Sequence, residues 1–188
     1  MRMPIGSNIV QMHQSFFDFW NIYKRADGRV SIDDVRPNRL KSILPNIVKI
    51  RTSNEGSRFA LVGTQVVEEY QQDFTGMLVE DHPHEVCRET YLSMIDHMNS
   101  RHGIACCFGM FCYLNRHYLR TMESGVALAH ADSDKVAGYL VLVTIDHAEY
   151  MDKLYHPMPP EQVLAGEANI VSQADFNNAM QGYRSLSA

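Results

Sequence analysis

The segment Glu80-Asp81-His82-Pro83-His84-Glu85 sets two histidines among three carboxylates, a donor set that suits zinc or iron. A small metal-dependent enzyme using Asp81, His82 and His84 is one reading of it. The same residues also have a structural use, because Pro83 presets a first helical turn and acidic side chains favour the positive end of a helix.

A second candidate is the run from Ile104 to Leu114, where the vicinal Cys106 and Cys107 would suit a redox sensor. A reactive cysteine needs its thiolate stabilised by a neighbouring base or a helix terminus. In a strand, alternation instead puts Cys106 and Cys112 on one face with Phe108, Met110 and Leu114, and Cys107 on the other with Phe111 and Tyr113. With Cys87 these make four cysteines without C-x-x-C spacing, which reads as packed free thiols and not as a disulfide framework. Phosphate loops, G-x-G-x-x-G, G-x-S-x-G and H-E-x-x-H are all absent, so no conventional enzyme is anchored and a non-catalytic role is expected.

Composition narrows the partners. A net charge of −5 and a pI near 6.0, with Lys and Arg scattered along the chain, give no footprint for nucleic acid. No apolar run approaches the roughly 20 residues that span a bilayer, so no membrane partner and a cytoplasmic location are expected. A chain of 188 residues, 45% hydrophobic, suits one globular domain with short extensions.

The elements that would position these residues follow from periodicity. Residues 8–27 place Ile9, Met12, Phe16, Phe19, Trp20 and Tyr23 at helical spacing, with Asn8 and Gln11 as a capping box and Gly28 as a stop. After a polar connector, residues 42–52 and 58–68 flank the turn-rich 53–57 and read as an antiparallel hairpin. Residues 66–75 read as a short helix closing on Thr75-Gly76. Residues 82–103 read as a longer helix with Cys87, Tyr91, Met94, Ile95 and Met98 on one stripe. Strands at 104–114, 119–130 and 136–146 suit a meander, and a tail with one helix near 172–181 follows. The expected fold class is α+β, a single five-stranded antiparallel sheet with helices on one face and its first and last strands paired at the centre.

Trp20, Asp34 with Pro37, Leu44-Pro45, Arg58-Phe59, Leu61, Gly63-Thr64 and Thr75-Gly76 together resemble a PAS-like family common in alphaproteobacteria. The match covers residues 16–77 by motif and 83–146 mainly by pattern, and the Cys-rich strand departs from it. The resemblance divides the chain into an N-terminal helix at 1–28 for flanking or dimerisation, a PAS-like domain at 29–150 and a C-terminal extension at 151–188. It implies a stand-alone sensory or adaptor protein that binds a small molecule between sheet and helices, or a signalling protein, with no enzymatic role; a purely structural interaction domain with a filled core is the other reading.

On that reading the cavity is lined by Phe59, Leu61, Phe74, Tyr91, Met94, Met110, Cys112, Met122, Tyr139 and Val141. The ligand is apolar or amphipathic, since Met94, Met98, Met110 and Met122 offer adaptable thioethers, and no cofactor is assigned. A haem sensor would use His97 or His102 as axial ligand, although both also read as solvated helix histidines. The aromatic face of the first helix, Phe16, Phe19, Trp20 and Tyr23, is expected to be exposed, as a reporting surface or a homodimer seam.

Overall fold

Near the chain's end a strand carries Tyr139, Val141 and Val143 on one face and Leu140 and Leu142 on the other, all buried. A strand apolar on both sides has to be covered on both sides, and this decides the architecture. The computed structural model describes residues 7–101, 103–113, 116–147 and 169–170, with side-chain surroundings defined over 8–100, 103–107 and 121–145.

Over those residues the chain is α+β. Three helices, α1 (Ser7–Tyr23), α2 (Thr64–Tyr70) and α3 (Glu85–Arg101), pack on a mixed sheet. Its strands are β1 (Val30–Ser31), β2 (Ile47–Ser53), β3 (Gly56–Val62), β4 (Ile104–Tyr113), β5 (Arg116–Ala129), β6 (Val136–His147) and β7 (Asn169–Ile170). The order across the sheet is β3-β2-β6-β5-β4-β7, so the first and last long strands pair at the centre, as expected.

Three features correct the expected sheet, the first being its seven strands instead of five, because the two-residue β1 and β7 join it. It is mixed and not purely antiparallel, because β1 runs parallel to β5 through Val30↔Leu128 and Ser31↔Ala129. β4 begins at Ile104 opposite Val126, so β1 takes up the length of β5 that β4 leaves uncovered. The helices also lie on both faces, not one. α1 buries Ile9, Phe16, Phe17, Phe19 and Trp20 against Cys106, Met122, Val126, Leu140 and Leu142. α2 and α3 bury Val66, Tyr70, Tyr91, Met94 and Met98 against Val48, Ile50, Phe59, Cys107, Tyr139 and Val141. The aromatic stripe of α1 is therefore occupied by the chain's own sheet, and the expected exposed seam is absent.

Boundaries shift for local reasons. α1 ends at Tyr23 instead of 27 because the chain folds back, with Arg25 N donating to Arg29 O (2.7 Å) and Trp20 Nε1 to Gly28 O (2.8 Å). The short helix runs 64–70 and not 66–75, since Gln71 takes a left-handed conformation and ends it. The following segment then pairs with the outer edge of β3: Gly76 N donates to Phe59 O (2.7 Å) and Phe59 N to Met77 O (3.0 Å). Thr75-Gly76 thus covers an edge strand that would otherwise be open to pairing.

Candidate functional site

β2 starts at Ile47, opposite Leu142, while β6 continues to His147. The stretch from Val143 to Ile145 therefore loses its β2 neighbour, and Asn46 Nδ2 caps it by donating to Val143 O (3.1 Å). A cleft of about 330 Å³ opens at this point, within the usual range for small-molecule sites. Its floor is Val143, Thr144 and Ile145; α1 supplies Asn8, Ile9 and Met12. Ser42, Pro45 and Asn46 form a second wall, and Gln65, Val66 and Glu69 of α2 the third.

The wall between the Leu44–Asn46 turn and α2 rests on Gly63. A Cβ there would fall on the Pro45 carbonyl, and Gly63 N donates to Ile47 O (2.8 Å). Only glycine lets α2 begin this close to the turn.

Two buried polar clusters stand behind the floor. On the α1 side, His13 is fully buried, with Nδ1 2.8 Å from Ser124 Oγ and Nε2 2.8 Å from Thr144 Oγ1. Thr144 donates onward to Met122 O (3.2 Å), and Cys106 Sγ lies 3.1 Å from Ser124 Oγ. One neutral tautomer satisfies the whole chain: Cys106 S–H to Ser124, Ser124 O–H to Nδ1, Nε2–H to Thr144, Thr144 O–H to Met122 O. Burial lowers the His13 pKa to about 3 and pushes the Cys106 thiol up to about 12. His, Ser and Cys in contact suggest a nucleophile, but a neutral histidine and a fully protonated, buried thiol make this a lock between α1 and the sheet.

On the other side lies Glu123, paired with Cys107 on β4 and Val143 on β6. It is 4% exposed, and its Oε2 has no hydrogen-bond partner among the described residues. Burial pushes its carboxyl up to about 7. Tyr70 of α2 and Cys87 and Tyr91 of α3 all feel its charge, and burial raises the pKa of each. Cys87 Sγ donates to Tyr70 Oη (3.7 Å).

No known family model, curated protein or solved structure matches this chain.

The residues expected to line one cavity are divided by the sheet. Phe59, Phe74, Tyr91, Met94, Tyr139 and Val141 do share the α2/α3 layer. There they fill space ring against ring: the Phe59 centroid lies 5.2 Å from Tyr91 and 6.2 Å from Phe74. Met122 packs in the α1 layer, and Leu61 is 42% exposed. The side chains of Met110 and Cys112 lie outside the described surroundings, although their backbones pair with Arg120 and Tyr118.

The metal reading does not assemble. His82 is buried with its ring centroid 4.3 Å from that of Phe74, and its Nδ1 accepts from His84 N (3.2 Å). Asp81 is exposed, and no group of three metal-ligating side chains converges among the described residues. Cys106 and Cys107 face opposite layers and are both buried. His97 is half-buried on α3, and His102 lies outside the described residues.

Sequence reasoning overlooked His13 and Glu123. Each had a signal: His13 stands four residues after Ile9 and three before Phe16 in an apolar stripe, and Glu123 follows Met122 and, with Ser124, precedes the apolar run from Gly125 to Ala129.

Proposed function

We propose that this chain is a non-catalytic, PAS-like sensory or adaptor module that takes a small amphipathic ligand in the cleft at the end of β6. One observation carries the reading: the cleft is lined at once by α1, by α2 and by the uncovered end of the central strand. A ligand there touches both helical layers and can favour one arrangement of them over another. The family resemblance of residues 16–77 supports it. So does the way its motifs meet, with Leu44-Pro45 against Gly63 and with Arg58 Nη1 donating to Gly76 O (3.2 Å).

Thr144 links the cleft to α1, since it lines the floor and holds His13. The signal leaves through a protein partner in the cytoplasm, with no nucleic acid involved. No helix among the described residues is long and apolar enough to cross a membrane.

The test is a thermal-shift screen of small amphipathic compounds on the wild-type chain and on Gln65→Trp, which fills the cleft from its half-buried rim. A compound at a hundred times its Kd stabilises by about 2.7 kcal/mol, a shift of roughly 5–10 °C for a chain of this size. The shift is expected in the wild type and not in the variant. Equal shifts in both, or none with any compound, contradict the reading.

A further inference from the structure

We infer that Glu123 is a buried anchor for a cationic ligand group, so that the cleft selects primary amines carrying an apolar tail. The inference rests on the cleft being the ligand site. Val143 lines the cleft and is the direct cross-strand partner of Glu123, which puts the Glu123 backbone one strand spacing, about 4.8 Å, from that of a lining residue. On α2, Val66 lines the cleft and Tyr70, one turn on, stands beside Glu123. Val143 across the ladder and Val66, one turn before Tyr70, thus connect the cleft to the surroundings of an acid whose Oε2 has no partner among the described residues.

A buried polar atom left unpaired is costly, and a ligand donor that reaches it removes that cost. The lining favours a cation as that donor. It contains one carboxylate, Glu69, and no Lys, Arg or His.

Among the described residues, Glu123 acts on Tyr70 from α2 and Cys87 and Tyr91 from α3 and pairs with Cys107 of β4 and Val143 of β6. His82 stands 6.5 Å from Tyr70 and 6.2 Å from Tyr91 between ring centroids, and burial lowers its pKa to about 4, so it is neutral at pH 6. None of these supplies a positive charge at pH 6. The free acid is mostly protonated at that pH. Binding therefore converts a carboxylic acid and an ammonium ion into a carboxylate–ammonium pair with release of one proton to solvent.

The experiment is calorimetric titration of octylamine, octanol and octanoate into the wild type, Glu123→Gln, Glu69→Gln and Gln65→Trp at pH 6, in two buffers of different ionisation enthalpy. The amine is expected to bind the wild type at least about tenfold more tightly than the alcohol, with octanoate weakest and about one proton released per amine. Glu123→Gln abolishes the preference and the proton release while still binding octanol, whereas Glu69→Gln keeps the proton release. Equal affinity for amine and alcohol in the wild type, or a preference that survives Glu123→Gln, overturns the inference. If Gln65→Trp blocks all binding in that case, the cleft reading stands alone. If Gln65→Trp changes nothing, or no probe binds the wild type, the inference falls together with the cleft.

Discussion

Glu123 and Ser124 are consecutive residues of β5 whose side chains enter opposite layers of the protein. Ser124 joins His13 and Cys106 under α1, whereas Glu123 lies with Tyr70, Cys87 and Tyr91 under α2 and α3. The two partners of these residues across β6 are likewise adjacent: Ser124 pairs with Leu142 and Glu123 with Val143, which borders Thr144 in the floor of the cleft. The buried polar groups of both layers therefore converge on one short stretch of the central strand.

Stability should report the buried acid directly. The Glu123 carboxyl titrates at about 7 when folded, against 4.5 ordinarily, so between those values the folded chain holds a proton that the unfolded chain has released. Stability is lost as pH rises through that window. Relative to wild type, Glu123→Gln should gain about 3 kcal/mol at pH 8 and almost nothing at pH 4. Urea unfolding at the two pH values checks this, and a gain that does not grow with pH contradicts it.

His13 gives the opposite slope. Its folded pKa of about 3 lies below the ordinary 6.5, so its contribution is present above 6.5 and is lost as pH falls towards 3. Within that window wild-type stability should fall more steeply with acid than that of His13→Gln, by up to about 1.4 kcal/mol per pH unit. His13→Ala also strands the hydroxyls of Ser124 and Thr144 and should cost about 3–5 kcal/mol at pH 7. Denaturation midpoints across pH 4–8 would show it, and parallel curves would count against a buried neutral imidazole.

Two glycines should respond differently to one added methyl. At Gly63 the methyl meets the Pro45 backbone, which cannot move without displacing the turn beside the cleft. At Gly125 it meets the tips of Met94 and Met98, at 3.0 and 3.1 Å, and thioether chains can yield. Gly63→Ala is expected to cost more than about 3 kcal/mol and Gly125→Ala about 1–2 kcal/mol. The reverse order in thermal unfolding would mean that the turn–helix contact is not fixed by backbone.

Thiol labelling separates packing from redox sensing. Cys87 and Cys106 are buried with thiols pushed up to about 12. Under native conditions at pH 8 iodoacetamide should leave both unmodified, and both should react after unfolding. Rapid native labelling of Cys106, read by peptide mass, would contradict the placement.

Most elements were legible because their periodicity is strong. The stripe from Ile9 to Tyr23, the stripe from Cys87 to Met98 and the β4-β5-β6 meander all stand where spacing puts them. The side on which α1 packs was not legible, because an exposed apolar stripe and a stripe buried on one's own sheet have the same pattern. The doubly apolar β6 held the missing information, since it requires two covering layers. β1 was hidden for another reason: two residues, Val30 and Ser31, are too few for alternation to register. The cleft escaped notice because it arises where β2 starts later than β6 ends, a matter of register that no local pattern reports. Glu123 and His13 were passed over as single polar residues, yet each interrupts an apolar context, and that interruption marks a buried polar group.

The central claim, that the end of β6 forms the ligand site, is tested most directly by methyl-resolved NMR titration of the isotope-labelled chain with octylamine. The methyls of Ile9, Val66, Val143 and Ile145 line the cleft, whereas Ile22 is 70% exposed on the outer side of α1 and serves as the control. Saturable shifts at the four lining methyls with Ile22 unmoved are the expected result. Shifts centred on other residues, with those four unchanged at saturating ligand, would contradict it.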